Sequence, residues 1–280
     1  MFMEGLLVVV LFFLGLSVGS FVNVVIDRFN PEKNDGFLKI VSGRSRCDGC
    51  QGVLKPHELI PVLSFLVQKG RSRCCYAELA LHYPLMEFSM GGLFVFIGYA
   101  LKVMFAPLFI GSSGLFFIVL LFWLFFMTLF IALACIDAHT YFLPDFLMIP
   151  GIIISFFYVG FLSMVGQTSF YYTSQDHLLG ALLFGGFLYF IYLISRGRAM
   201  GFGDVKLGVF GGLLLGGKLS ALALFLSFIL GALMGVILLM AKKKGFKEMI
   251  PFGPFIILGI FIAFFFGGWI LSWYFGLIGI

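Results

Sequence analysis

The chain has 280 residues, of which 61% are apolar and 19% aromatic, while only 11% are charged and the mean hydropathy is +1.12. Water-soluble domains carry roughly a quarter charged residues, so soluble, disordered and collagen-like classes are excluded and the composition is that of a multi-span membrane protein. The formal charge of +5 is informative only through the side of the membrane on which the cations fall.

The apolar runs are continuous and about twenty residues long, which fits helices and not the alternation of barrel strands. Hydropathy predicts spans near residues 5 to 26, 88 to 110, 115 to 136, 144 to 165, 177 to 195, 204 to 217, 219 to 241 and 253 to 277. The expected fold is an all-α polytopic membrane protein of about eight helices. The first run has no cationic segment before it and is too long for a signal-peptide core, so it reads as a retained span. Its Asn23, and Asp27 beyond it, are expected to find helix–helix hydrogen bonds or headgroup water.

Between the first two spans, residues 28 to 87 form an extramembrane module, and its stretch from 28 to 84 holds nine of the eighteen Lys/Arg and four of the five cysteines. Seven further cations, Arg196, Arg198, Lys206, Lys242, Lys243, Lys244 and Lys247, fall on the same side of an eight-span chain. Only Lys102 and Lys218 fall on the other. The positive-inside rule therefore predicts a cytoplasmic module and both termini outside. The seven-helix remainder, 88 to 280, is expected to carry the chemistry.

So small a module commonly needs a metal or disulfide staple, and a cytoplasmic location disfavours the disulfide. Cys47-x2-Cys50 suits tetrahedral zinc, and Cys74 and Cys75 supply the other thiols. Position 72, which would complete a second Cys-x-x-Cys with Cys75, is Ser72. The expected ligands are Cys47, Cys50 and Cys75, with Cys74, His57 or His82 fourth; the bland alternative is reduced thiols in a packed loop. Cys135 reads as a small packing residue and His177 as an interfacial polar one.

Three acids sit in costly places. Asp137 follows the run Leu129 to Ile136, Asp145 follows Leu143-Pro144, and Asp204 follows Gly201-Phe202-Gly203. Intramembrane carboxylates are functional candidates by default. The predicted orientation puts Asp137 and Asp204 on one side, where two facing carboxylates cannot both stay ionised and so share a proton. Such a pair is equipped for peptide hydrolysis, one group taking a proton from water and the other donating to the scissile carbonyl. An ion- or proton-coupled transporter would also use such acids, and a non-catalytic assembly scaffold would need neither.

At this point the chain resembles the bacterial type IV prepilin leader peptidases, intramembrane aspartyl proteases with a Gly-x-Gly-Asp signature. The resemblance rests on Gly19 to Ile26 with Arg28, Cys47-x2-Cys50, Glu58 to Ser64, Tyr83 to Glu87, Ile136-Asp137 through Leu143-Pro144-Asp145, Gly201 to Lys206, and Pro251 to Phe255, in family order. It implies cytoplasm-facing catalysis in a bacterial inner membrane and cleavage of the basic leader from type IV prepilin and pseudopilin precursors. Asp137 and Asp204 match the two catalytic aspartates, with Gly201, Gly203, Asp145 and Lys206 in support. It further implies N-methylation of the new amino terminus with S-adenosylmethionine, an activity associated with the cysteine-bearing segment. No Rossmann-type glycine fingerprint marks that cofactor's site. Glu58, Glu78 and Glu87 are candidate partners for the leader's cations, while the module's own cations answer to anionic lipid and topology rather than nucleic acid.

Overall fold

The structure is a computed structural model describing residues 2–32, 36–47, 49–104, 113–165, 170–241 and 250–278. Lys33, Lys242, Lys243, Lys244 and Lys247, used in the orientation argument, and the predicted span end at 105–110 lie outside these residues. The described chain is helical apart from two isolated antiparallel bridges. It divides into two compact units, Met1–Thr128 and Leu129–Ile280.

The first unit contains α1 (Phe2–Arg28), the single-turn α2 (Phe37–Val41) and α3 (Leu63–Val67), a short 3₁₀ turn at Pro56–Leu59, and α4 (His82–Met104). α4 starts six residues before the predicted span, because Pro84 is tolerated in a first helical turn; Tyr83 and Glu87 are therefore helical, and the module gives way to α4 at His82. α1 and α4 pack closely through small residues. A side chain at Gly15 would meet the Met90 carbonyl and the Gly91 Cα, and one at Gly19 would meet the Glu87 Cα. This is the small-xxx-small device by which helices associate where lipid is as apolar as leucine. Across the same contact the buried Asn23 donates to the Tyr83 carbonyl at 3.2 Å.

α5 (Ser113–Thr140) contains the boundary between the units. The second unit continues with α6 (Asp145–Val165), α7 (Phe170–Ser195), α8 (Phe202–Leu215), α9 (Gly217–Met240) and α10 (Gly253–Ile278). α8 lies at its centre, with ten of its residues buried. Gly212 of α8 meets the Gly180 backbone of α7, Gly211 meets Ile260 of α10, and the Phe210 ring lies tilted against Phe130 of α5 at 4.6 Å between ring centres. Gly216, at φ 76°, breaks the chain between α8 and α9 in a conformation that favours glycine. Asp176 of α7 accepts the Gly217 amide at 3.2 Å and His177 bonds the Leu213 carbonyl at 2.6 Å, so His177 closes a helix end.

Seven described helices are long and apolar enough to cross a membrane. The expected eighth segment is present as α8, but its 14 residues make it shorter than a full crossing. Large apolar side chains such as Phe13, Phe157 and Trp269 are more than half exposed, as lipid-facing positions are in a multi-pass membrane protein.

Candidate active site

Asp137 stands in the last turn of α5. That helix ends just beyond it because Tyr141 turns to φ 56° and donates its amide to the Asp137 carbonyl, after which Pro144 opens α6. The side chain is 5% exposed. Its Oδ2 accepts the backbone N–H of Gly253, the first residue of α10, at 2.9 Å.

Asp204 stands in the first turn of α8 and is 8% exposed. Its amide donates to the Gly201 carbonyl at 3.2 Å, and its Oδ2 accepts the Gly201 N–H at 3.3 Å. A carboxylate in this reciprocal cap satisfies one orphan donor of the helix and sits favourably in its dipole. Gly203 faces Leu143, where any side chain would press on the Leu143 Cβ. Asp204 is close enough to Asp137 for the two carboxylates to interact electrostatically.

The two charged residues expected in support, Asp145 and Lys206, pair with each other. Lys206 donates to Asp145 Oδ1 at 2.6 Å and its ammonium lies 5.3 Å from the centre of the Phe202 ring. With side chains 31% and 54% exposed, this ion pair contributes no more than about 1 kcal/mol; its effect is to tie the start of α6 to the start of α8. All six sequence candidates, Asp137, Asp145, Gly201, Gly203, Asp204 and Lys206, thus gather in the second unit. Gly253 belongs with them and was given no role by sequence reasoning. Its one sequence signal is the Pro251-Phe252-Gly253-Pro254 run opening a helix.

In the first unit the cysteines form two matching knuckles. Cys47 N–H donates to Gly52 O, Gln51 to Cys47 O and Leu54 to Ser45 O; 25 residues on, Ser72 donates to Ala77 O, Tyr76 to Ser72 O and Leu79 to Gly70 O. Gln51 and Tyr76 occupy corresponding positive-φ positions. Ser72 therefore takes the place of Cys47 and Cys75 that of Cys50, and Cys74 supplies a sulfur from the middle of its knuckle. The four sulfurs of Cys47, Cys50, Cys74 and Cys75 lie within 4.8 Å of one another. His57 lies instead beside Arg73 at 3.5 Å and His82 against Tyr83, so Cys74 is the fourth candidate ligand. The Ser72 hydroxyl bonds Cys47 at 3.2 Å and Cys74 at 3.0 Å. That bond, with backbone amides, lowers the Cys47 thiol to about 6, while Cys74 pushes Cys50 up to about 12. A tetrathiolate of this kind suits zinc.

Cys47 and Ser72 also line a cavity of about 560 Å³, together with Asp27, Glu58, Tyr83 and Glu87. Glu87 is 8% exposed and accepts the Val62 N–H at 2.6 Å; Glu58 accepts the Lys55 N–H at 2.7 Å; Asp27 accepts the Tyr83 hydroxyl at 2.9 Å. Its lining sets these carboxylates and the aromatic Phe65 and Tyr83 beside Arg28, Arg44 and Arg46, and its size is that of a small-molecule site.

The architecture is that of an α-helical multi-pass membrane protein with a pair of interacting acids at one end of its second unit. Comparison with known proteins gives its family. Residues 13–101 match the Bacterial Peptidase A24 N-terminal domain and residues 124–236 the Type IV leader peptidase family. A Bacillus subtilis protein described as Prepilin leader peptidase/N-methyltransferase is 34% identical over 265 residues, covering 95% of this chain and 96% of its own. Proteins of the same description from Aeromonas hydrophila and Klebsiella pneumoniae are 30% and 36% identical, covering 94% and 70% of this chain and 92% and 80% of theirs. The chain belongs to the type IV leader peptidase family. The transporter and scaffold readings find no support among these relatives. No solved structure matches.

Proposed function

We propose that this chain is an aspartyl endopeptidase of the bacterial cytoplasmic membrane that removes the basic leader from type IV prepilins and pseudopilins and methylates the amino terminus so released. The observation that carries the proteolytic reading is the pair Asp137 and Asp204. They are buried on separate helices, interact electrostatically, and are each held by a glycine amide. With one proton between them, one carboxylate takes a proton from a water as it attacks the scissile carbonyl, and the other donates to the carbonyl oxygen; the roles reverse as the amine leaves. Gly201 and Gly203 fix the Asp204 turn, and Asp145 with Lys206 steadies the helix starts around it. The charge distribution supports both termini outside and a cytoplasm-facing site, where a leader on the inner side and a membrane-embedded pilin helix both have access.

The relatives' description as N-methyltransferases supports a methyl donor of the S-adenosylmethionine class. The cavity of the first unit fits it. Tyr83 offers a face for the purine, Asp27 and Glu58 offer acceptors for ribose hydroxyls, and the buried Glu87 offers a negative partner for a sulfonium. When bound, this group supplies an electrophilic methyl. Zinc at the four cysteines would brace the wall that Cys47 and Ser72 contribute.

Separate Asp137→Asn and Asp204→Asn proteins, purified and reconstituted with a prepilin, test the proteolytic reading. Each is expected to lose cleavage by at least about a thousandfold, the scale of a general acid–base contribution, while inserting normally. Cleavage undiminished in both would remove the reading.

A further inference from the structure

Each carboxylate of the pair has one oxygen engaged by a backbone amide, but the two are not equivalent. Asp204 lies in the first turn of its own helix, where the dipole and the Gly201 amide both favour a negative group. Asp137 lies in the last turn of α5, the negative end of its helix, and is 5% exposed. Its own helix therefore works against an anion there. The compensating group comes from 116 residues away: Gly253 opens α10, and its N–H is an orphan donor of that helix's first turn. Among the described residues this is the one hydrogen bond the Asp137 carboxylate makes.

The approach also demands glycine. A Cβ at Gly253 would lie 2.6 Å from Asp137 Oδ2 and 3.3 Å from its Cβ, closer than a short side chain can yield without turning its carboxylate. The segment is itself held: the Phe252 ring lies 5.2 Å from Phe228 of α9 and 6.5 Å from Phe255, against the Gly231 position.

We infer that Gly253 is a positioning residue of the aspartate pair: its amide, presented by the start of α10, holds Asp137 Oδ2 and fixes the carboxylate, so that Oδ1 is left to act on water. The inference rests on the catalytic reading of Asp137 and Asp204. It makes the turn that opens α10 part of the apparatus that positions the pair and gives Pro251-Phe252-Gly253-Pro254 a chemical reason.

Three measurements on the full-length protein in detergent or nanodiscs test it. Gly253→Ala is expected to lower kcat about a hundredfold, the effect of an ångström-scale misplacement, to leave KM within about twofold, and to displace the acid limb of the kcat–pH profile. Asp137→Asn, assayed alongside, is expected to be inactive. The third measurement needs no substituted enzyme to be active. Labelling with ¹³C-carbonyl phenylalanine and ¹⁵N-glycine selects the six Phe-Gly pairs. The Gly253 amide resonance, identified by its loss in Gly253→Ala, should move with pH at the midpoint of the acid limb and should shift in Asp137→Asn. An active Asp137→Asn protein would overturn the catalytic reading. An inactive Asp137→Asn protein, with a Gly253 amide indifferent to pH and to that substitution, would overturn the role of Gly253 alone. So would a Gly253→Ala enzyme with an unchanged pH profile.

Discussion

At Cys74 the chain keeps a four-sulfur cluster while breaking the spacing that announces one. The hydrogen bonds of the two knuckles repeat residue for residue, so Ser72 sits where a ligand belongs and its hydroxyl turns to the sulfurs of Cys47 and Cys74. Donors of this kind around a metal site are worth about ten- to a hundredfold in affinity. Cys74→Ser, which removes one of the four sulfurs, is expected to lose bound zinc, read as metal per chain by mass spectrometry. The double variant Ser72→Cys with Cys74→Ser, which rebuilds a regular Cys-x-x-Cys knuckle, is expected to recover it. Failure of the double variant to bind would mean that the knuckles are not equivalent. The sequence could show four thiols and a misplaced serine. It could not show which of Cys74, His57 and His82 completes the set, because that depends on where two loops fold relative to each other. Gly253 was hidden for a related reason: the glycine is visible in the sequence, but the carboxylate its amide meets lies 116 residues away.

On the scale of elements the membrane helices were legible, since a run of about twenty apolar residues has few other readings. Predicted and observed ends agree within two residues for α6, α8 and α9, whereas α7 starts at Phe170, seven residues before the predicted 177. The start of α4 was missed because His82, Tyr83 and Glu87 are polar residues that a hydropathy window assigns to a loop, although Tyr83 bonds Asn23 and Glu87 bonds Val62. What hydropathy does not encode is the way α8 packs, backbone against backbone. Gly212→Val would drive a branched side chain into the Gly180 carbonyl. It is expected to destabilise the protein by about 1–3 kcal/mol or more, the range for overpacking, lowering the thermal midpoint in detergent. Gly268→Ala, where a Cβ meets nothing within 4 Å, is the control and should leave that midpoint nearly unchanged.

For the whole molecule, the proposed orientation follows from cations gathered on one side. A cysteine substituted for Lys218 should react with a membrane-impermeant maleimide on intact cells. A cysteine substituted for Leu38, exposed in the module and outside the zinc cluster, should react only after the cells are permeabilised. The opposite pattern would invert the topology and put the aspartates on the wrong side for a leader that begins in the cytoplasm.

The brevity of α8 has its own consequence for how a hydrolysis runs inside a bilayer. Fourteen residues rise about 21 Å, against a hydrocarbon thickness of about 30 Å. A helix that reaches one face falls roughly 9 Å short of the other. Asp204, in its first turn, would then lie at the floor of a notch sunk into the inner leaflet. Solvent entering that notch brings the reactant that cleavage consumes.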